Sequence, residues 1–182
     1  MAINVIFKPL YLASTLVYVV FSITSTVSHC WMQTIPVDNS TRIQQGLFME
    51  CIEGEDWCKN LPNDDNMPEF YLDVRALAIV SCLFSSFAAY VEILHLLFEK
   101  VQRYFTTVVI MIANIMLVIA LGLFTKKNEY DFKVYEYGWG YILSWIAFAV
   151  GILVVALGFL AAFCGNDQGQ FDLNNAEEMK SN

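Results

Sequence analysis

Cys51 and Cys58 are the residues whose type and spacing most directly suggest chemistry, because a disulfide between them would close a loop of eight residues. In the chain-entropy model such a bridge restricts the unfolded state by about 2 to 3 kcal/mol. The nearby sequence Asn39-Ser40-Thr41 is an acceptor for N-linked glycosylation. Disulfides persist and glycans are added on the lumenal or extracellular side of a membrane. The two signals therefore predict an extracellular segment, with a pair of free thiols as the alternative.

The same segment is strongly acidic. Between Thr34 and Asp73, nine carboxylates stand against Arg42 and Lys59, a local balance of minus seven. Carboxylates clustered outside a membrane concentrate cations, or line a cation path when several copies assemble around a gap. A solvated acidic face that keeps the loop soluble is the alternative. Three acids between the two cysteines are candidates for charge selectivity: Glu53, Glu55 and Asp56.

The elements that must position these residues are apolar. The chain has 182 residues, of which 57% are hydrophobic and 15% are charged, whereas a soluble domain carries about 25% charged residues. A helix needs about 20 apolar residues to cross a hydrocarbon core of roughly 30 Å. Four stretches lack Asp, Glu, Lys and Arg, between Lys8 and Asp38, Arg75 and Glu92, Arg103 and Lys126, and Glu136 and Asp167. The sequence therefore predicts four membrane spans, at residues 9–31, 75–98, 104–125 and 139–163.

Four spans place both termini on one side of the membrane, which we predict to be the cytoplasm. The positive-inside count opposes this orientation, with four basic residues inside and six outside, but the cysteine pair and the glycosylation signal outweigh it. Turn residues break loop one into short runs, and the run from Gly46 to Ile52 fits a strand of a small antiparallel sheet. The connecting segments are a cytoplasmic N-terminus (1–8), extracellular loop one (32–74), a tight cytoplasmic turn (99–103), extracellular loop two (126–138) and a disordered cytoplasmic tail (164–182).

Composition and motifs argue against several classes of function. The formal net charge of −8 would repel nucleic acid. The spans leave no room for a separate soluble enzyme domain, and phosphate-binding loops, metal-binding helices of the HExxH type and GxSxG motifs are missing from the sequence. We therefore predict a protein that is not an enzyme, with no cofactor, no metal and no nucleic-acid partner.

Three further features concern the spans and their ends. Cys164 follows the inner end of the fourth span and is a candidate for palmitoylation, with a plain free thiol as the alternative. Asn114, in the middle of the third span, is expected to hydrogen-bond a neighbouring helix, with a ligand as the alternative partner. Gly151 and Gly158, together with Ala147, would form a close-packing stripe on the fourth span.

Several of these residues together resemble the claudin superfamily signature W…GLW-x-x-C…C…RAL. The stretch YGWGYILSWIAF at 137–148 is similar to the peripheral myelin protein and epithelial membrane protein branch. Phe48 departs from the signature, where Trp is usual, and the cysteine spacing is shorter than in most claudins. The residues at the signature positions are Trp31, Gly46, Leu47, Phe48, Cys51, Cys58 and Arg75, and all except Phe48 match directly.

The resemblance implies a membrane protein that is mainly α, a four-transmembrane left-handed helix bundle with a small extracellular antiparallel β-sheet. It implies a bridged cysteine pair, a Trp and a Leu that anchor the sheet near the bilayer, and an Arg that reaches acidic or backbone acceptors of the loop. Snorkelling at the membrane boundary is the alternative for Arg75.

The resemblance also implies a function. We expect a multi-pass plasma-membrane protein at cell-cell contacts that associates, within one membrane and across facing membranes, with itself or related four-span proteins. Its role would be cell contact or a junctional barrier, with cation selectivity as an added property. An auxiliary subunit of an ion channel or receptor is the alternative, and the lipid bilayer is a partner in either case.

Overall fold

The structure, a computed structural model, describes the backbone of residues 2–34, 41–52, 58–61, 69–98, 103–128 and 135–181. The surroundings of side chains are described within 9–34, 41–52, 58–61, 70–95, 104–126 and 136–161. The described part contains four long helices and five short strands. In chain order these are α1 (Ala2–Val27), β1 (Met32–Thr34), β2 (Ile43–Gln45), β3 (Met49–Ile52), β4 (Cys58–Asn60), α2 (Glu69–Phe98), α3 (Arg103–Asn128), β5 (Tyr135–Tyr137) and α4 (Trp139–Ser181).

Each of the four helices contains a stretch that is long and apolar enough to cross a membrane, as the sequence predicts. The stretches are Pro9–Val27, Phe70–His95, Tyr104–Lys126 and Trp139–Ala161. Helix α1 packs against α2 and α4, and α3 packs against the same two helices, so that the four form a bundle. The chain is therefore a multi-pass membrane protein, and the end of the bundle that carries the strands is called the sheet end below.

Four helix ends differ by four or more residues from the expected span boundaries. Helix α1 begins at Ala2 and helix α2 at Glu69, whereas the predicted spans begin at residues 9 and 75. Helix α1 stops at Val27 and not at residue 31, because the backbone of Trp31 bonds to neighbouring strands: its N–H donates to the Gln45 carbonyl at 2.9 Å. Helix α4 continues to Ser181, whereas the sequence predicted a disordered tail from residue 164. Residues 164–181 contain no proline, and an existing helix extends without a new nucleation step.

The buried face of α1 is lined with hydroxyl groups. Most of its side chains of at most 4% exposure recur every three or four residues, and six of its large apolar side chains are at least 40% exposed. The Tyr11 hydroxyl lies 3.2 Å from Thr107 Oγ1, and Thr26 Oγ1 lies 3.3 Å from Cys82 Sγ. Lipid offers no hydrogen bonds, so polar groups pair between helices. The hydroxyl-bearing residues of this face are Tyr11, Thr15, Tyr18, Ser22, Ser25 and Thr26.

Glycines let α4 approach α3 closely. A Cβ added to Gly151 would lie 2.4 Å from Asn114 Oδ1, and one added to Gly158 would lie 2.3 Å from Thr107 Oγ1. Asn114 Nδ2 donates to the Phe148 carbonyl at 3.3 Å, which is the bond to a neighbouring helix that the sequence predicts. The two glycines therefore serve packing inside the bundle.

The five strands form one antiparallel sheet with the order β4-β3-β2-β1-β5. The segment from Gly46 to Ile52, predicted as one strand, is a strand only from Met49. Strand β5 comes from the second loop and pairs with β1, with Gln33 opposite Glu136. The sequence did not predict this strand. The sheet thus ties together both loops at the sheet end of the bundle.

A disulfide joins Cys51 and Cys58, as predicted. The two residues are direct partners across β3 and β4, so the bridge closes the hairpin at one edge of the sheet. On the same two strands Glu50 lies opposite Lys59. Opposite charges across a strand pair are favourable, so this pair also stabilises the hairpin.

Replacing both cysteines by serine is expected to lower the free energy of unfolding by about 2 to 3 kcal/mol, because the unfolded chain regains the freedom of the closed loop. Thermal unfolding in detergent, with and without reductant, measures this. Reductant should lower the Tm of the wild type and leave the double variant unchanged. A wild type that does not respond to reductant would contradict the stabilising role.

The seat of the sheet as the candidate functional site

The sheet rests on the helices through a compact cluster of mostly aromatic side chains. We call this cluster the seat, and its members come from three helices and from two segments next to the strands, Trp31 just before β1 and Leu47 between β2 and β3. Helix α2 contributes two residues and helices α3 and α4 one each. The seat consists of Trp31, Leu47, Tyr71, Arg75, Phe124 and Tyr141.

Trp31 is the centre of the seat. Its side chain is 0% exposed, and its indole Nε1 donates to the Ser25 carbonyl at 2.7 Å. The ring meets Phe124 edge-on at 5.0 Å and Tyr141 at 6.2 Å between ring centroids. Such edge-to-face pairs stabilise beyond simple area burial. Trp31 therefore holds the sheet by burial among helix side chains.

The Gly46-Leu47 turn joins β2 to β3 and touches the end of α1. The Gly46 N–H donates to the Met49 carbonyl at 2.8 Å, and the Gly46 carbonyl accepts the Tyr71 hydroxyl at 2.9 Å. A Cβ on Gly46 would lie 2.2 Å from the Ser28 carbonyl oxygen. Only glycine allows two backbones to approach this closely, so Gly46 sets the distance between sheet and bundle.

Arg75 connects the turn to α2. Its side chain is 5% exposed, and Nε donates to the Leu47 carbonyl. The guanidinium carbon lies 5.6 Å from the centroid of the Phe48 ring and 5.4 Å from that of Tyr71. Both distances fit cation–π contacts. Arg75 thus reaches a backbone acceptor of the loop, and Phe48, although it replaces the usual Trp, still supplies a ring.

The start of α4 is hydrogen-bonded to the segment that follows α1. The Gly138 N–H donates to the Trp31 carbonyl at 2.9 Å, and the Gly140 N–H to the Cys30 carbonyl at 2.8 Å. A Cβ on Gly138 would lie 2.4 Å from the Cys30 carbonyl oxygen. The glycines of the YGWGY stretch are therefore packing positions.

Burial raises the pKa of the Cys30 thiol, which lowers its thiolate fraction and its reactivity.

The seat brings together the residues that carried the sequence resemblance, Trp31, Leu47 and Arg75, with Gly46 and Phe48 beside them. The disulfide is elsewhere, at the β4 edge of the sheet. Cys164 lies in α4, in the part whose side chains are not described. The other predicted positions, Asn39, Glu53, Glu55 and Asp56, lie outside the described residues.

Sequence reasoning assigned no role to five residues of this region, Tyr71, Phe124, Tyr141, Gly138 and Gly140. Tyr71 lies between Glu69 and Asp73, in the segment predicted as extracellular loop one. Phe124 lies in an apolar run, where nothing distinguishes it from a lipid-facing aromatic. Gly138 and Gly140 carried a signal, since paired glycines in YGWGY are unusual at a helix start. Among the described residues, no three His, Cys, Asp or Glu side chains form a group that could hold a metal ion. The arrangement is suited to holding a surface in a fixed position.

The sequence of the chain is similar to those of known proteins. The chain matches the model described as the PMP-22/EMP/MP20/Claudin family over residues 7–159. It is 26% identical over 150 residues to Claudin domain-containing protein 2 of Mus musculus, covering 80% of this chain and 76% of that protein. The range matched by the family model contains all six seat residues.

Proposed function

The chain belongs to the PMP-22/EMP/MP20/Claudin family, and we propose that it is a structural protein of cell-cell contacts. In this proposal it associates with copies of itself or with related four-span proteins, both within one plasma membrane and across facing membranes. Its contact forms or supports a junctional barrier and involves no catalysis.

The seating of the sheet is the observation that carries this proposal. Trp31 is fully buried between α3 and α4, and Arg75 ties the Gly46-Leu47 turn to α2. A surface that binds a partner should be rigid before it binds, because each side chain or loop that becomes ordered on binding costs free energy. A sheet fixed to all four helix ends meets this requirement.

The orientation belongs to the same proposal. The sheet end faces the extracellular side and both termini are cytoplasmic. The disulfide between Cys51 and Cys58 supports this orientation, because disulfides persist in oxidising compartments. A glycan on Asn39 and an acyl chain on Cys164 fit the same orientation.

Expression in cells that lack junctional strands tests the proposed contact function. We expect enrichment at contacts between two expressing cells, strand-like assemblies in freeze-fracture electron microscopy and raised transepithelial resistance. The variant Gly122→Val should behave like the wild type in these assays, because a Cβ at Gly122 meets nothing within 4 Å. An evenly distributed, mobile protein with unchanged resistance would contradict the proposal. Purification from native membranes at a fixed ratio with a channel or receptor would instead support an auxiliary subunit.

The acidic residues between the cysteines are proposed to give the contact a preference for cations. Replacing Glu53, Glu55 and Asp56 by Gln, Gln and Asn removes three negative charges, and cation preference should fall because cations are no longer concentrated there. Dilution potentials across a monolayer measure this preference. Neutralising Glu177 and Glu178 is the control, since the proposed orientation puts both in the cytoplasm. An unaltered dilution potential in the triple variant would remove the selectivity while leaving the contact function in place.

A further inference from the structure

The Cys51–Cys58 disulfide lies at one edge of the sheet, away from the seat. Strand β4 is the last strand on this side among the residues that the structure describes, and all three of its residues are exposed. Cys58 is one of them, whereas Cys51 on β3 is only partly exposed. A thiol in the surrounding water therefore has a path to the Cys58 side of the bridge without any opening of the bundle.

Strand β4 is held differently at its two ends. It pairs with β3 over three residues, and a short two-stranded pairing is marginally stable on its own. Just beyond β4 the Leu61 N–H donates to the Phe48 carbonyl at 2.9 Å, and the Leu61 side chain packs against the buried core. The bridge holds the opposite end, at Cys58. Loss of the bridge therefore frees the Cys58 end of the hairpin while Leu61 stays in place.

The rest of the sheet does not depend on the bridge. The Trp31 N–H donates to the Gln45 carbonyl, and Arg75 Nε donates to the Leu47 carbonyl. Strand β5 pairs with β1 on the far side of the sheet. None of these contacts involves a residue of β4. Opening of the bridge would thus leave the edge of β3 unpaired and change the surface that the sheet presents, while the seat stays intact.

The position of the bridge restricts the kind of reductant. Cys51 and Cys58 are direct partners across two strands, with Cα atoms 4.3 Å apart. When a monothiol opens such a bridge, the released Cys51 thiolate stays beside the mixed disulfide and expels the monothiol. A dithiol instead resolves the mixed disulfide with its own second sulfur.

The charge around the bridge restricts the reductant further. The segment from Thr34 to Asp73 holds nine acidic residues against Arg42 and Lys59, a balance of minus seven. A dithiol in basic surroundings is attracted to such a segment, and one in acidic surroundings is repelled.

We propose that the Cys51–Cys58 bridge is a redox switch at the sheet edge, reduced in the folded protein by a dithiol protein with a basic surface around its cysteines. A thiolate of the reductant attacks Cys58 Sγ, the S–S bond breaks, and Cys51 leaves as a thiolate that takes a proton from water. The second thiolate of the reductant attacks the mixed disulfide, and Cys58 leaves and is protonated in the same way. The reductant gives up two electrons and two protons and becomes a disulfide. The proposal rests on the extracellular orientation of the sheet end given above.

The test uses the full chain, purified in detergent with its bridge intact. One probe is a peptide with Cys-Gly-Pro-Cys flanked by lysines, a second has glutamates in place of the lysines, and a third keeps the lysines but has serine for the second cysteine. An excess of maleimide stops the reaction, and mass spectrometry locates the labelled cysteines. Cys30 is the internal control, because its side chain is 1% exposed and is labelled only when the fold opens.

We expect the lysine-flanked dithiol to make Cys51 and Cys58 available for labelling while Cys30 stays unlabelled. In denaturant all three cysteines should be labelled. The glutamate-flanked dithiol should reduce the bridge about tenfold more slowly, because charge steers association. The monothiol should leave most of the bridge oxidised, because Cys51 expels it.

Hydrogen exchange locates the structural change. In the reduced chain the amides that pair β3 with β4 should exchange faster, and the Trp31 amide should keep its protection, since its bond to Gln45 is untouched. The variant with both Cys51→Ser and Cys58→Ser should show this pattern without reductant and should not respond to the dithiol.

Labelling of Cys30 at the same rate as Cys51 and Cys58 would overturn the proposal, because reduction would then require unfolding of the whole chain. Unchanged exchange in β4 after reduction would also overturn it, as would loss of protection at Trp31 together with β4. Equal reduction by all three peptides would overturn the choice of a basic dithiol partner. These measurements use the purified chain, so their failure leaves enrichment at cell contacts unaffected, and the two proposals are tested separately.

Discussion

Gly46→Val is expected to push the Gly46-Leu47 turn away from the bundle and to destabilise the fold strongly. The first side-chain carbon would lie 2.2 Å from the Ser28 carbonyl oxygen and 2.7 Å from the His29 Cα. Both neighbours are backbone atoms, so no rotamer change relieves the overlap. The turn would have to move away, and the Tyr71 hydroxyl would lose its bond to the Gly46 carbonyl. Overpacking of this kind destabilises by about 3 kcal/mol or more.

Thermal unfolding in detergent and delivery to the cell surface measure the effect. A loss of 3 kcal/mol corresponds to a fall in Tm of about 6 to 12 °C for a chain of this size. Gly122→Val makes the same chemical change on α3 where nothing lies within 4 Å, and its Tm should stay close to that of the wild type. If Gly46→Val unfolded at the wild-type temperature, the close approach of the turn to α1 would be wrong.

Arg75→Met is expected to produce the second largest effect, because it removes a buried charge that three groups stabilise. The Leu47 carbonyl loses its donor, and the rings of Phe48 and Tyr71 lose the guanidinium between them. A hydrogen bond to a charged group contributes about 1.5 to 3 kcal/mol, and a cation–π contact about 0.5 to 2 kcal/mol. We expect a net loss of about 2 to 4 kcal/mol, since methionine keeps part of the packing.

Arg75→Lys separates the contribution of the positive charge from that of the planar guanidinium group. Lysine keeps the charge but lacks the planar group that bonds Leu47 while stacking on the rings, so its Tm should fall between the wild type and Arg75→Met. Lys126→Met is the matched control, because Lys126 is an exposed cation at the sheet end of α3. Equal Tm values for Arg75→Met and Lys126→Met would show that Arg75 only snorkels at the membrane boundary.

The gross architecture could be predicted because lipid imposes simple rules. Runs of apolar residues long enough to cross a bilayer become helices, since every backbone group must be paired within the segment. The disulfide could also be predicted, because short cysteine spacing and an oxidising compartment together favour a bridge. The exact helix ends were not predictable. They depend on bonds such as that from the Trp31 N–H to Gln45, which connect distant parts of the chain.

The bundle interior shows why packing was harder to predict than topology. In water, a buried helix face is marked by apolar side chains at regular spacing. In lipid, both faces of α1 avoid water, and its buried face turns out to carry hydroxyl groups such as those of Tyr18 and Ser22. Hydropathy alone therefore identified the span but assigned no face to the interior.

By itself the sequence determined the membrane class, four spans, the disulfide and the resemblance that names the family. Each of these depends on local composition or on short spacings. The tertiary structure alone decided that β5 joins β1 and that Trp31 is buried between α3 and α4. It alone revealed an apolar groove between α3 and α4, beside Asn114. These features need residues about thirty to a hundred positions apart to meet, and only the packing of four helices sets the distances between them.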